Sequence, residues 1–342
     1  MSGRRRANGR LFPWLNEGRT VRVVTFDHFG GPAALRTEHA DDPAPGPGEL
    51  RLRLISSPVN RADLAMLAGR YGVRPTLPAT PGLEAAGIVD ATGSDVRSFV
   101  LGDRVLVALG GAAGQGTWRD LLIIPESAAL RIPDGVSDEV AASCLVPGLT
   151  AWALLSSLAL PDGATLLVTA ALSSAGVAVG QLASSFGLRP FGVLRSSDSA
   201  DRAVSEAGFE AVGFGPVPRF VDVGPFDAAL DCVGGDWTAA CLELLRPGGE
   251  VVLFGELDER RLTIDPGRLI FAEKRLRGFW LDRWLARSTA EERDAAYALV
   301  LALLEAGTLQ PIVDRVFPLD QAGAACRYAL LSGRVGRVFL RP

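Results

Sequence analysis

The segment Ala170-Ala171-Leu172-Ser173-Ser174-Ala175-Gly176 follows a continuous apolar run and leads into a helix-like stretch, residues 176–186. In a strand–turn–helix of this kind, backbone N–H groups and the positive end of a helix can meet a diphosphate, and glycines usually give the clearance. Here Ser173 and Ser174 stand where glycine is usual, and only Gly176 fits the GxGxxG spacing. Serine hydroxyls can donate to phosphate oxygens. The segment reads as a dinucleotide cradle with hydroxyls replacing glycine, or as an ordinary βα turn. The next apolar run, 191–194, ends in Arg195-Ser196-Ser197, with Arg202 following. An acid at that strand end holds a free ribose 2′-hydroxyl, whereas an arginine accommodates a 2′-phosphate. Arg195, with no acid directly after the strand, favours NADPH; the plain alternative is a solvated arginine.

Other chemistries are excluded by counting. Two histidines, His28 and His39, and four scattered cysteines, Cys144, Cys232, Cys241 and Cys326, assemble neither a zinc set nor a disulfide framework. Free thiols in a reducing cytoplasm are the expectation. Basic and acidic residues number 35 and 39, for a net charge of −4, so no large positive field exists to hold nucleic acid. Two long uncharged stretches, 140–161 and 163–188, raise the membrane question. Pro147-Gly148 interrupts the first and strand, turn and helix signals divide the second, so no membrane span is expected.

The elements that must position these residues come in two textures. From residue 21 to about 142 the text is all-β, with short runs at 21–26, 50–56, 87–92 and 104–109 separated by glycine and proline, the pattern of a small barrel. Beyond Pro147 strand and helix alternate: 165–170, 176–186, 191–194, 198–207, 226–232, a helix to Leu245, then strands 250–254 and 276–280. Such alternation implies a parallel sheet with right-handed crossovers. A long helix at 291–306 precedes a return to strand-like text. The 342 residues thus divide into a doubly wound unit set within a β unit. The first twenty residues carry Arg4, Arg5, Arg6, Arg10 and Arg19 without an apolar h-region, and read as a flexible tail or a transit peptide.

Several segments carry a family likeness: 269–284 (LIFAEKRLRGFWLDRW), Val59-Asn60-Arg61-Ala62-Asp63, Gly69-Arg70-Tyr71-Gly72, Leu77-Pro78, Gly116-Thr117-Trp118-Arg119 and 230–235 (LDCVGG). Together they resemble the zinc-independent medium-chain dehydrogenase/reductase superfamily over about residues 21–340, nearest to the mitochondrial-type trans-2-enoyl thioester reductases. Quinone-oxidoreductase-like proteins come next. The resemblance implies an α/β chain: a GroES-like β-barrel domain over 21–145 and 286–342, plus an inserted Rossmann doubly wound parallel-sheet domain over 146–285. The zinc branch of the superfamily has histidine beside glutamate near Gly82, and here the pair is Leu83-Glu84.

The resemblance also implies a chemistry. Hydride from NADPH would reach the β-carbon of a 2-enoyl thioester on CoA or an acyl carrier protein, building an enolate. Tyr71 stands where the family has its proton donor or carbonyl-polarising group. Among three tyrosines, Tyr297 and Tyr328 fall in predicted helices, while Tyr71 sits in a glycine-flanked loop. A neutral phenol can hydrogen-bond or protonate that charge. Asn60 matches a polar residue near the reacting centre and orients the carbonyl or caps a turn. Trp280 and Phe279 match the substrate pocket, though an aromatic on a buried strand is equally a core residue. The cofactor set is Thr150, Ser173, Ser174, Ala175, Gly176, Arg195, Ser196, Arg202, Val233 and Phe254. A homodimer through Rossmann sheet edges is implied as well. Val146-Pro147-Gly148-Leu149-Thr150 lacks the enoyl reductases' asparagine and is closer to the quinone branch. Two other readings stand beside the enoyl reductase: a quinone or enone oxidoreductase, and a cofactor-poor scaffold or binding subunit.

Overall fold

A computed structural model describes residues 20–109, 115–216 and 223–342. All but one residue of the arginine-rich start therefore lie outside the described residues. The β unit opens with β1 (Val21–Thr25) and β2 (Arg36–Ala40), an antiparallel pair. It continues through β3 (Glu49–Pro58), α1 (Arg61–Leu67), β4 (Glu84–Thr92), β5 (Arg104–Ala108), β6 (Leu121–Pro125) and β7 (Leu130–Arg131). In β3 the alternation of buried Leu50, Leu52 and Leu54 with outward Arg51 and Arg53 is the period-two pattern of a half-buried strand. The text read as all-β is interrupted by α1. Its seven residues give less than two full turns of periodicity, too short for the helical signal to stand out.

Two helices, α2 (Asp138–Ala142) and α3 (Leu145–Leu158), lead into the doubly wound part. There follow β8 (Thr165–Thr169), α4 (Ser174–Ala183), β9 (Arg189–Leu194), α5 (Ala200–Ser205), β10 (Ala211–Phe214), β11 (Phe226–Asp231), α6 (Asp236–Leu244), β12 (Leu245–Leu253), α7 (Pro266–Ile270) and β13 (Arg275–Gly278). The six strands are parallel in the order β10-β9-β8-β11-β12-β13, the strand order of a Rossmann sheet. Leu166, Val168 and Leu230 are buried on one face, and Leu167, Phe191 and Ala229 on the other. Both faces are covered, which is why these strands read as continuous apolar runs. β12 starts at Leu245 and runs through Pro247-Gly248-Gly249, earlier than the strand expected at 250–254.

The chain closes with α8 (Leu281–Arg287), α9 (Ala290–Glu305), β14 (Val313–Pro318), α10 (Ala322–Ala329) and β15 (Arg337–Arg341). β15 pairs antiparallel with β3, Phe339 opposite Pro58 and Leu340 opposite Ser57, so the sheet of the β unit is built from both ends of the chain. Its path is β14-β15-β3-β4-β5-β7, with β6 also on β3. Among the described residues no helix is long and apolar enough to cross a membrane.

Candidate active site

Helix α1 brings the β unit to the carboxyl edge of the parallel sheet, where doubly wound folds bind ligands. The helix starts well because Asp63, at its third position, accepts the N–H of Asn60 at 2.7 Å, half of a capping box. Its first residue, Arg61, faces the ends of β9 and β11. Burial lowers its pKa, as do the charges of Arg334 and Arg195, against an opposing pull from Cys232. Among the described residues neither Arg61 nor Arg195 has a carboxylate partner. Unpaired guanidinium groups at such an edge suit a phosphate-bearing cofactor.

Beyond the other end of α1 lies Tyr71, its N–H given to Ala65 O at 3.2 Å. The strand that carries the GFW segment ends at Gly278, so Trp280 is not on it but just past it, immediately before α8. From there its indole N–H donates to the Tyr71 hydroxyl at 3.1 Å. The hydroxyl in turn donates to Asp282 Oδ2 at 3.3 Å. Burial is the main force raising the Tyr71 pKa well above the ordinary phenol value, and Asp282 adds to it while the indole opposes. Tyr71 is therefore a neutral phenol with both a donor and an acceptor engaged. A Cβ on Gly72 would lie 2.9 Å from the Trp280 ring, so glycine is what lets the indole lie against this loop. An ion pair between Arg70 and Glu259 ties the same loop to the segment after β12.

The turn after β8 is tight. Ala170 has φ +45°, a left-handed conformation strained for a residue with a side chain. A Cβ on Gly176 would meet Ala171 O at 2.6 Å and Ala170 O at 2.7 Å, so the one glycine that fits the fingerprint is sterically required. Ser173 caps α4 by accepting the Gly176 N–H at 3.1 Å. Its hydroxyl also lies 3.9 Å from Cys232 Sγ, and the ten-residue α4 starts directly after this turn at the carboxyl end of β8. Ser174 and Ala175 form the first turn of α4. These features fit a diphosphate.

The remaining expected cofactor residues divide. Val233 and Phe254 sit at the ends of β11 and β12. The Val233 N–H donates to Asp231 Oδ1 at 2.8 Å and the Phe254 N–H to Asp231 O at 2.8 Å, so this carboxyl edge is held by one buried aspartate. Phe279 packs against the main core and bonds Leu253 O through its N–H at 2.9 Å. Thr150 is less available: its hydroxyl donates within α3 to Val146 O at 2.7 Å. Ser196 donates to Asp198 Oδ2 at 3.1 Å. Arg202 is held by Glu206 one helical turn away, at 2.6 and 2.9 Å. Arg61, which sequence reasoning passed over, joins Arg195 near these strand ends. The signal was its place directly after Asn60 at a helix start, but that helix was not read.

Asn60 is not beside Tyr71; the two flank α1. The Asn60 amide oxygen accepts from Arg337 at 2.5 Å, and the same guanidinium nitrogen donates to Glu84 Oε1 at 2.8 Å. Arg337 also reaches the carbonyl of Ser143. Glu84 Oε2 takes the N–H of Val146 at 2.8 Å. Nearby, Asp63 accepts a second N–H from Gly82 at 3.1 Å. Burial, with Glu84, raises its carboxyl to about 7 against the pull of those N–H groups and Arg337. All four cysteines are buried and free, and burial pushes Cys232 up to about 12. Among the described residues no three His, Cys, Asp or Glu side chains gather as a metal ion would need.

Comparison with known proteins agrees with this fold. Residues 46–134 match the alcohol dehydrogenase GroES-like domain family and 207–340 the zinc-binding dehydrogenase family. Mitochondrial enoyl-[acyl-carrier-protein] reductase of Rattus norvegicus is 30% identical over 87% of this chain and 86% of its own. The Homo sapiens protein of that name is 30% identical over 89% and 84%. A solved Pseudomonas syringae pv. tomato quinone oxidoreductase is 26% identical, covers 94% of this chain and 100% of its own, and has a TM-score of 0.81. A mycobacterial protein solved with NADPH is 28% identical over 94% and 100%, with a TM-score of 0.82. With a GroES-like domain, a Rossmann sheet and these relatives, the chain is an oxidoreductase of the medium-chain dehydrogenase/reductase superfamily.

Proposed function

We propose that this oxidoreductase reduces activated C=C bonds, 2-enoyl thioesters of CoA or an acyl carrier above all, with NADPH and without zinc. The observation that carries the reading is the neutral, hydrogen-bonded Tyr71 held by Trp280 at the carboxyl edge of the sheet. Bound NADPH supplies the hydride to the β-carbon. Ser173, the N-terminus of α4 and Arg61 hold its diphosphate, and Arg195 its 2′-phosphate. Tyr71 turns its O–H from Asp282 to the substrate, stabilising the enolate and delivering a proton to the α-carbon. Trp280 keeps its indole N–H on the Tyr71 oxygen and steadies the phenolate that results.

The experiment is NADPH oxidation with crotonyl-CoA and with 1,4-benzoquinone. Faster turnover of crotonyl-CoA that survives dialysis against a chelator supports the reading; faster quinone turnover overturns it in favour of a quinone or enone reductase. That second reading has its own support in the 146–150 segment and in the quinone oxidoreductase neighbour. A homodimer fits the open edge of β13 and exposed Ile270 and Phe271 beside it. The division at residues 146 and 286, and a cytoplasmic setting for the free thiols, belong to the same proposal.

A further inference from the structure

Arg337 is 3% exposed and Glu84 1%, and Asn60 is 8% exposed, so their contacts are made in a nearly dry interior. An arginine side chain has only donors. It can therefore face only the oxygen of the Asn60 amide, and that choice turns Nδ2 to the opposite side. There Nδ2 is buried and has no partner among the described residues. Arg337 is itself fixed. Glu84 holds it, and the Val146 N–H holds Glu84. An unmet buried amide donor is costly unless a ligand or water takes it. The next residue, Arg61, lies within reach of Arg195 and Cys232 at the ends of β9 and β11, so Asn60 stands at the start of α1 beside the carboxyl edge of the parallel sheet.

We infer that Arg337 is a positioning residue that commits the Asn60 amide to donation, so that the site selects a ligand with a neutral carbonyl oxygen beside α1. This rests on the reductase reading above. Two carbonyl oxygens could meet Nδ2: the acyl carbonyl of the thioester and the carboxamide of the nicotinamide.

The test is a double-mutant cycle. Arg337→Lys keeps a cation opposite Glu84 but cannot fork to Asn60 and Ser143 together. It is compared in the natural chain and in an Asn60→Ala background. Crotonyl-CoA kcat/KM and NADPH Kd are measured for all four proteins. Arg337→Lys should lower one of them about tenfold in the natural chain and less than about twofold once Asn60 is gone. Loss in kcat/KM alone identifies the acyl carbonyl as acceptor; loss in NADPH Kd identifies the carboxamide. Equal loss in both backgrounds means Arg337 acts only on the fold, and overturns the inference. Should Arg337→Lys not fold, Glu84→Gln with Arg337→Gln removes both charges and enters the same cycle. A natural chain that reduces benzoquinone but not crotonyl-CoA overturns the enoyl reading alone, and the cycle is then read on the quinone carbonyl. A chain that binds no NADPH and reduces neither overturns both.

Discussion

Tyr71 and Trp280, 209 residues apart, meet edge to face, with ring centroids 5.7 Å apart, planes at 89° and an indole N–H donated to the phenol oxygen. One residue comes from the β unit and the other from the end of the parallel sheet, so the contact spans the cleft. Removing only the hydroxyl should leave the ring packing in place. Tyr71→Phe is expected to lower kcat about 10²-fold or more, with NADPH affinity unchanged. Steady-state kinetics with crotonyl-CoA and a fluorescence titration of NADPH check both parts. Undiminished turnover in the variant would remove Tyr71 from the chemistry.

The pH profile tests the same residue. Because burial holds the phenol protonated well past its ordinary range, kcat should show no alkaline fall owed to Tyr71 below about pH 10. A fall near pH 8 that disappears in Tyr71→Phe would mean that the hydroxyl ionises far earlier than its surroundings dictate.

Arg195 and Arg61 should separate by coenzyme. Arg195→Ala is expected to weaken NADPH about tenfold and leave NADH nearly unaffected. Arg61→Ala should weaken both alike, since the diphosphate is common to them. Equal loss of NADPH and NADH in Arg195→Ala would take that arginine off the 2′-phosphate.

Asp63 gives a stability prediction with a definite sign. Its carboxyl lies at about 7 in the folded chain against 3.8 without the fold. The folded state therefore holds a proton that the unfolded state has lost between these values, and stability falls as pH rises through that window. The span corresponds to about 4 kcal/mol at most. Urea unfolding of the natural chain should lose stability from pH 5 to pH 7.5, and Asp63→Asn should show a flatter profile. Parallel profiles for the two proteins would refute the assignment.

Gly176→Val places a side chain against two carbonyl oxygens at 2.6 and 2.7 Å. The turn must open, so NADPH affinity should fall more than about tenfold and the Tm by several degrees. Both follow from one titration and one melting curve.

Much of this was legible in the residues, and the exceptions have physical reasons. The apolar runs at β8 and β11 are readable because a parallel sheet covered on both faces needs no polar positions. The place of Arg195 is readable because the apolar run of β9 stops at Leu194, directly before it. Helix α1 is not, because its cap acts through Asp63, and seven residues leave almost no periodicity. Arg202 matched by position alone, while its guanidinium went to the nearest acid, Glu206. The pairing of Arg337 with Glu84 and Asn60 was beyond reach, since it depends on β15 returning to β3.

That return has a consequence for assembly. Arg337 reaches Asn60 across 277 residues, with the whole parallel sheet in between. The sheet's own contacts are closer in sequence, so it gains structure while β3 still lacks its neighbour; closing so long a loop comes late and slowly. Pulse-labelled hydrogen exchange during refolding should find amides of β8 and β11 protected before those at the β3–β15 junction. On that order the Asn60–Arg337 junction is the last part of the molecule to form, and a chain stalled before that step would have a folded parallel sheet and an incomplete β unit.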